Sequence, residues 1–195
     1  MCSNKPNTQG RTPFYANMAH PHQSCPVVNS FTPQELLELE SAGFVPYIFD
    51  TGANASVVPG PKGVVDQEPL SGTLSGVGAI PIIGTGTLEL HVSKNLHANS
   101  SFQDVMHDQS DTVVVPIHNV LIAPKLRTKR LISASSLYDM GYYCHTDVNT
   151  GRFYLAHNGT GHVIPIIKRE GLYFVLARYH AVPNTATVAT FAVPT

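Results

Sequence analysis

The sequence predicts an all-β protein with one short helix. Two observations lead there. From Phe44 onward, β-branched and aromatic runs recur between Gly and Pro breaks, and no long helical period interrupts them. The well-formed helix signal lies just before those runs, in Phe31-Thr32-Pro33-Gln34-Glu35-Leu36-Leu37-Glu38-Leu39-Glu40. There Thr32 is the N-cap, Pro33 takes the first helical position, Glu35 closes a capping box and Phe31 can staple onto Leu36. The expected helix runs over 33–42 and ends at Gly43.

Ahead of it, residues 1–30 mix Asn, Pro, Gln, Ser and His without apolar periodicity, which predicts a flexible leader. After it, Phe44 to Phe49 is a strand that runs into Asp50, and Ala55 to Val58 leaves that loop before Pro59-Gly60-Pro61 breaks the chain. Leu74-Ser75-Gly76-Val77-Gly78-Ala79-Ile80-Pro81-Ile82-Ile83 reads as a hairpin with apolar arms and a Gly-rich tip. Thr85 to Val92 alternates at Leu88, Leu90 and Val92, as a half-buried strand does. Residues 93–112 are polar and aperiodic, which predicts a surface loop. Strands are expected at Val113–Val115 and Ile117–Ile122, with Pro116 and Pro124 as their limits. Lys125, Arg127, Lys129 and Arg130 read as a solvated basic loop. Leu131 to Cys144 then gives a buried strand, a short helix and a further strand.

Composition narrows the function classes. In 195 residues, charged side chains make up 13% and the formal net charge is -1, so no basic footprint for nucleic acid or an anionic membrane is present. Apolar runs such as Leu172 to Ala177 are far short of the roughly 20 residues that span a bilayer. Cys2, Cys25 and Cys144 are odd in number and widely spaced, which argues against a disulfide framework and fits a reducing compartment. His20, His22 and Cys25 lack a fourth ligand at regular spacing, so no metal is expected. The N-terminus has no charged start followed by an apolar core, so no signal peptide is expected.

The chemistry concentrates at Tyr47-Ile48-Phe49-Asp50-Thr51-Gly52-Ala53-Asn54-Ala55-Ser56-Val57-Val58. A carboxylate, a hydroxyl and a glycine sit between two apolar strands that hold the loop. Thr51 is short enough to donate a hydrogen bond locally or across an interface, and Gly52 permits a close main-chain approach. An ordinary turn would use the same three residue types.

In order, Asp50-Thr51-Gly52-Ala53, the Gly-rich hairpin and the strand-helix unit at Leu131 to Met140 resemble the retropepsins, the aspartic proteases of retroviruses and retrotransposons. More narrowly, Asn119-Val120-Leu121 through Pro124 and Leu126, with Leu131, Ser133 and Leu137, is similar to the protease region of copia-type LTR retrotransposon Gag-Pol polyproteins. Gly171-Leu172-Tyr173 resembles the segment before integrase there. Ser133 stands where many retropepsins carry glycine. The resemblance implies a closed barrel and a symmetric homodimer. It implies a leader over 1–43, a protease domain over 44–148, a β segment like the start of the pre-integrase region over 149–178, and a flexible tail over 179–195. By position, Asp50 is the catalytic carboxylate, Thr51, Gly52 and Ala53 complete the active-site loop, and Gly76, Val77, Gly78 and Ala79 form a substrate-binding flap.

Aspartic peptidases share one proton between two carboxylates, one activating a water and the other polarising the scissile carbonyl. One Asp-Thr-Gly per chain then requires two chains per site. The expected activity is endopeptidase cleavage of a retrotransposon polyprotein, without a cofactor, in the cytoplasm, virus-like particles included. The expected partners are a second copy and a polyprotein peptide, with no membrane and no direct nucleic acid. The rival reading is a retropepsin-like domain that binds peptides or oligomerises without cutting.

Overall fold

The computed structural model describes residues 14–15, 30–75, 79–127 and 129–178. Of the expected leader and tail, residues 1–13, 16–29 and 179–195 lie outside them, and so does the hairpin tip at Gly76, Val77 and Gly78. The described chain is mostly β, with few and short helices. In order it runs β1 (Phe14–Tyr15), α1 (Pro33–Ser41), β2 (Phe44–Asp50), β3 (Val57–Val58), β4 (Val64–Ser75), β5 (Ile80–Ser93), α2 (Phe102–His107) and β6 (Thr112–Ile122). A single 3-10 turn (Pro124–Leu126) follows, then β7 (Leu131–Ser133), α3 (Ala134–Asp139), β8 (Tyr142–Thr146), β9 (Phe153–His157), β10 (Val163–Pro165), β11 (Ile167–Arg169) and β12 (Leu172–Arg178). Among the described residues no helix is long and apolar enough to cross a membrane.

A nine-stranded sheet has the order β1-β4-β5-β6-β3-β7-β2-β12-β11, and β12 also meets β5 at Arg178 and His91. A second sheet, β10-β9-β8, has three strands. β2 is buried on both faces, as is its neighbour β12, and its period of two divides it cleanly. Val45, Tyr47 and Phe49 enter the main core with Leu88, Leu90, Ile117, Ile132 and Val175. Phe44 and Ile48 enter a second core with Phe31, Leu39, Phe102, Val105 and Phe174, so α1 and α2 supply the cover for that face. Residues 149–178 contain β9 to β12, and β12 pairs with β2 from Phe174–Ile48 to Arg178–Phe44.

α1 forms on its sequence signals. The Thr32 hydroxyl accepts from the Glu35 N–H at 3.1 Å, and the Glu35 carboxylate accepts from the Thr32 N–H at 2.9 Å. Phe31 and Leu36 share the second core, and Gly43 at φ 74° ends the turn.

Three local expectations are corrected. Residues 93–112 are not a plain loop, because they contain α2. Its capping box joins Ser101 and Asp104, and Phe102, Val105 and Met106 are buried. The hairpin is far longer than 74–83, since β4 pairs with β5 from Val64–Leu88 to Leu74–Ile80. The sequence of β4 carries little apolar alternation, because its solvent-facing positions dominate. Pro116 does not divide two strands, and β6 passes through it. The Lys94 N–H donates to the Asp111 carbonyl, and counting back by twos makes Glu89–Pro116 a pair whose main-chain groups point away from each other. The N–H that Pro116 lacks would have faced away from β5, where β3 reaches only Leu121 and Ile122.

Two outcomes follow. A Cβ on Gly86 would lie 2.6 Å from Val64 Cγ1 and 2.7 Å from the Val65 carbonyl, whereas one on Gly60 meets open space. Gly86→Ala should therefore destabilise the fold by about 2 kcal/mol and Gly60→Ala should leave the urea midpoint nearly unchanged; equal midpoints for both variants would disprove the close approach. The Asp104 carboxyl is held below its ordinary value by the Ser101 N–H first and the Ser101 hydroxyl second. Its folded pKa is depressed, so the cap contributes fully above the unfolded value and fades as pH falls through the folded one. The stability deficit of Asp104→Ala, measured by urea unfolding, should be present at neutral pH and narrow below the ordinary carboxylate range.

Candidate active site

The Asp50 loop is built where β2, β3 and β7 converge. β7 runs parallel to β2, with Asp50 beside Ser133, and β3 pairs antiparallel with β7 and parallel with β6. The loop over 51–56 therefore leaves β2 on one side of β7 and returns on the other. Asp50 sits at the end of its strand, half-buried, and its Oδ1 accepts the Gly52 N–H at 2.8 Å. That is an Asx turn, which fixes the carboxylate with its own loop. Oδ2 receives no hydrogen bond from the described residues and is left for a second group.

Thr51 and Gly52 are exposed, while Ala53 and Ala55 are buried. The two alanines pack in a third core with Leu74 and Ile82, so the tip end of the β4–β5 hairpin rests on the Asp50 loop. Ala79 is exposed at the start of the returning arm. Asp50, Thr51, Gly52 and Ala53 thus share one loop under the hairpin that was expected to cover them. The tip residues Gly76, Val77 and Gly78 lie outside the described residues.

Four serines hold this loop, and they were not among the expected site residues. The Ser133 N–H donates to Ser56 Oγ at 3.0 Å, and Ser133 Oγ donates to the Ala53 carbonyl at 2.5 Å. Ser56 Oγ donates to Ser136 Oγ at 3.0 Å, and Ser135 Oγ is 2.7 Å from Ser133 Oγ. Ser133 and Ser56 are almost wholly buried. The hydroxyl at 133 therefore does work that glycine could not do, binding the carbonyl three residues after Asp50. The available sequence signal was Leu131-Ile132-Ser133-Ala134-Ser135-Ser136, an apolar strand giving way abruptly to hydroxyls.

Other nucleophile and metal chemistries find less support in the geometry. Burial pushes the Cys144 thiol up, which disfavours the reactive thiolate. Among the described residues, no group of three His, Cys, Asp or Glu side chains is placed to hold a metal; His20, His22 and Cys25 lie outside them. Compared with family models, curated proteins and solved structures, the chain matches none.

Ser56→Ala would leave the buried Ser133 N–H without its acceptor. It should lower stability by about 1–3 kcal/mol, and Ser133→Ala should lower it through the Ala53 carbonyl. Their double-mutant cycle should yield a coupling above about 0.5 kcal/mol; strict additivity in urea unfolding would mean the two hydroxyls do not act together.

Proposed function

We propose that the chain is an aspartic endopeptidase of the retropepsin type that cleaves a retroelement polyprotein. The observation that carries this reading is the Asp50 loop. Its carboxylate is anchored through one oxygen by Gly52, open at the other, and held by buried serines beneath the tip end of a long hairpin. The order of parts along the chain adds to it, with Asp50-Thr51-Gly52-Ala53 first, the hairpin second and the β7–α3 unit third.

In the dimer, Asp50 of each chain supplies one carboxylate. The pair shares one proton, because two charges held that close do not both ionise. The ionised member takes a proton from water as the water attacks the scissile carbonyl, and the protonated member donates a hydrogen bond to the carbonyl oxygen. Exposed Thr51 braces the facing loop. The hairpin, with Gly76, Val77, Gly78 and Ala79 at its tip, closes over the substrate and excludes water. A closed barrel is the architecture that suits this, and the Arg178–His91 pairing supports it by bringing β12 back to β5. The cytoplasm, including virus-like particles, is the compartment in which such a polyprotein is processed.

Asp50→Asn preserves shape and removes the shared proton and charge. Cleavage of denatured protein between about pH 4 and 7 should fall at least a thousandfold, roughly the scale for losing one member of a catalytic unit, while the unfolding midpoint stays. Specific activity of the native chain should fall on dilution below the dimer dissociation constant, and excess Asp50→Asn chain should poison it. Wild-type cleavage by Asp50→Asn would defeat the aspartic mechanism. A folded, dimeric native chain that cuts nothing would support the non-cutting peptide-binding or oligomerisation domain instead.

A further inference from the structure

Away from Asp50, a partly open cavity of about 530 Å³ lies where the start of α2, the β8–β9 turn and the β11–β12 hairpin meet. Its walls include Arg152, Lys168 and Arg169 beside Phe102, Phe153 and Tyr173, and they include no aspartate or glutamate. The volume is in the range of ligand sites, roughly 300–1,000 Å³.

The three cations are not equivalent. Arg169 is committed to Glu35, with Nη2 to Oε1 at 2.9 Å, and its guanidinium lies 5.1 Å from the Phe102 ring centre. Its Nε is buried without a hydrogen-bond partner. Arg152 donates to the Asn99 carbonyl at 2.5 Å, and its charge also acts on the carboxylates of Asp104 and Asp147. Lys168 has no carboxylate within 4.0 Å among the described residues, and its Nζ stands 5.7 Å from the Tyr173 ring centre. It is the charge still open to a ligand.

The main chain at Lys168 is open as well. β11 is the outermost strand of the nine-stranded sheet. Glu170 and Gly171, both at positive φ, form the two-residue turn to β12, so Arg169 and Leu172 are the hydrogen-bonded pair that closes it. Lys168–Tyr173 is then a pair whose N–H and C=O groups point away from each other. Those of Lys168 face the free edge of the sheet.

We propose that this cavity docks an acidic peptide segment in extended conformation. The segment pairs with the main chain of Lys168 as an added strand, sets a carboxylate against the Lys168 ammonium, and lays apolar side chains on Phe153 and Tyr173. The site does not require peptide cleavage.

The test uses the full chain carrying Asp50→Asn and fluorescence anisotropy of fluorescein-labelled Val-Glu-Val-Glu-Val. Binding is expected with a dissociation constant on the order of tens of micromolar. Lys168→Glu should weaken it at least about tenfold, and so should N-methylation of the peptide's central residue, which removes a strand hydrogen bond without touching the protein. A Val-Lys-Val-Lys-Val control should not saturate. The proposal fails if the acidic peptide does not bind below about 1 mM, or if Lys168→Glu with an unchanged unfolding midpoint binds as before. It also fails if the N-methylated peptide binds equally well, or if inorganic phosphate or oligouridylate binds where the peptide does not.

Discussion

Burial of Ser133 is the constraint on which the Asp50 region depends. A hydroxyl taken out of water must be satisfied or it destabilises the fold, and among the described residues this one is satisfied by the Ala53 carbonyl and the Ser135 hydroxyl. Its own N–H donates to Ser56 Oγ. The bonds to Ala53 and Ser56 each join residues about eighty positions apart in the chain, between the loop after β2 and the strand β7. The loop therefore cannot drift from β7 without leaving several polar groups unpaired together. Positioning a carboxylate to a fraction of an ångström requires that kind of support, since a side chain is only as well placed as the main chain beneath it.

The double burial of β2 explains the parts that surround this loop. A strand with apolar residues on both faces needs cover on both. One face meets the main core between the sheets. The other meets α1, α2 and the Phe31–Phe174 contact, whose rings lie 4.9 Å apart at 67°. The short helices are therefore lids on β2 more than independent elements. Pro46 is tolerated inside this central strand because β7 begins its pairing only at Ile48.

What was legible in the sequence was local. The Thr32–Glu35 capping box, the β2 strand into Asp50 and the succession β7–α3–β8 are each written in a few adjacent residues. Less legible were features fixed by distant partners. Residues 93–112 read as loop because their polar residues outnumber the apolar ones, although Ser101 and Asp104 before Val105 and Met106 carried a second capping box. Pro116 read as a limit because its neighbour on each side is set by the sheet and not by the sequence around it. The bracing role of Ser56 and Ser133 exists only once the chain has brought them together.

The pairing of β12 with β2 has a consequence for how the molecule comes into being. Phe174 and Ile48 lie side by side but 126 residues apart in the chain. During synthesis, the edge of β2 that β12 covers stays open until the last described strand has left the ribosome. Such non-local closure makes assembly slow compared with local elements, and the unpaired edge is a hazard while it lasts. It also acts as a timer. The Asp50 loop gains its full frame only after the chain through Arg178 has been translated, so any chemistry it performs is delayed until then.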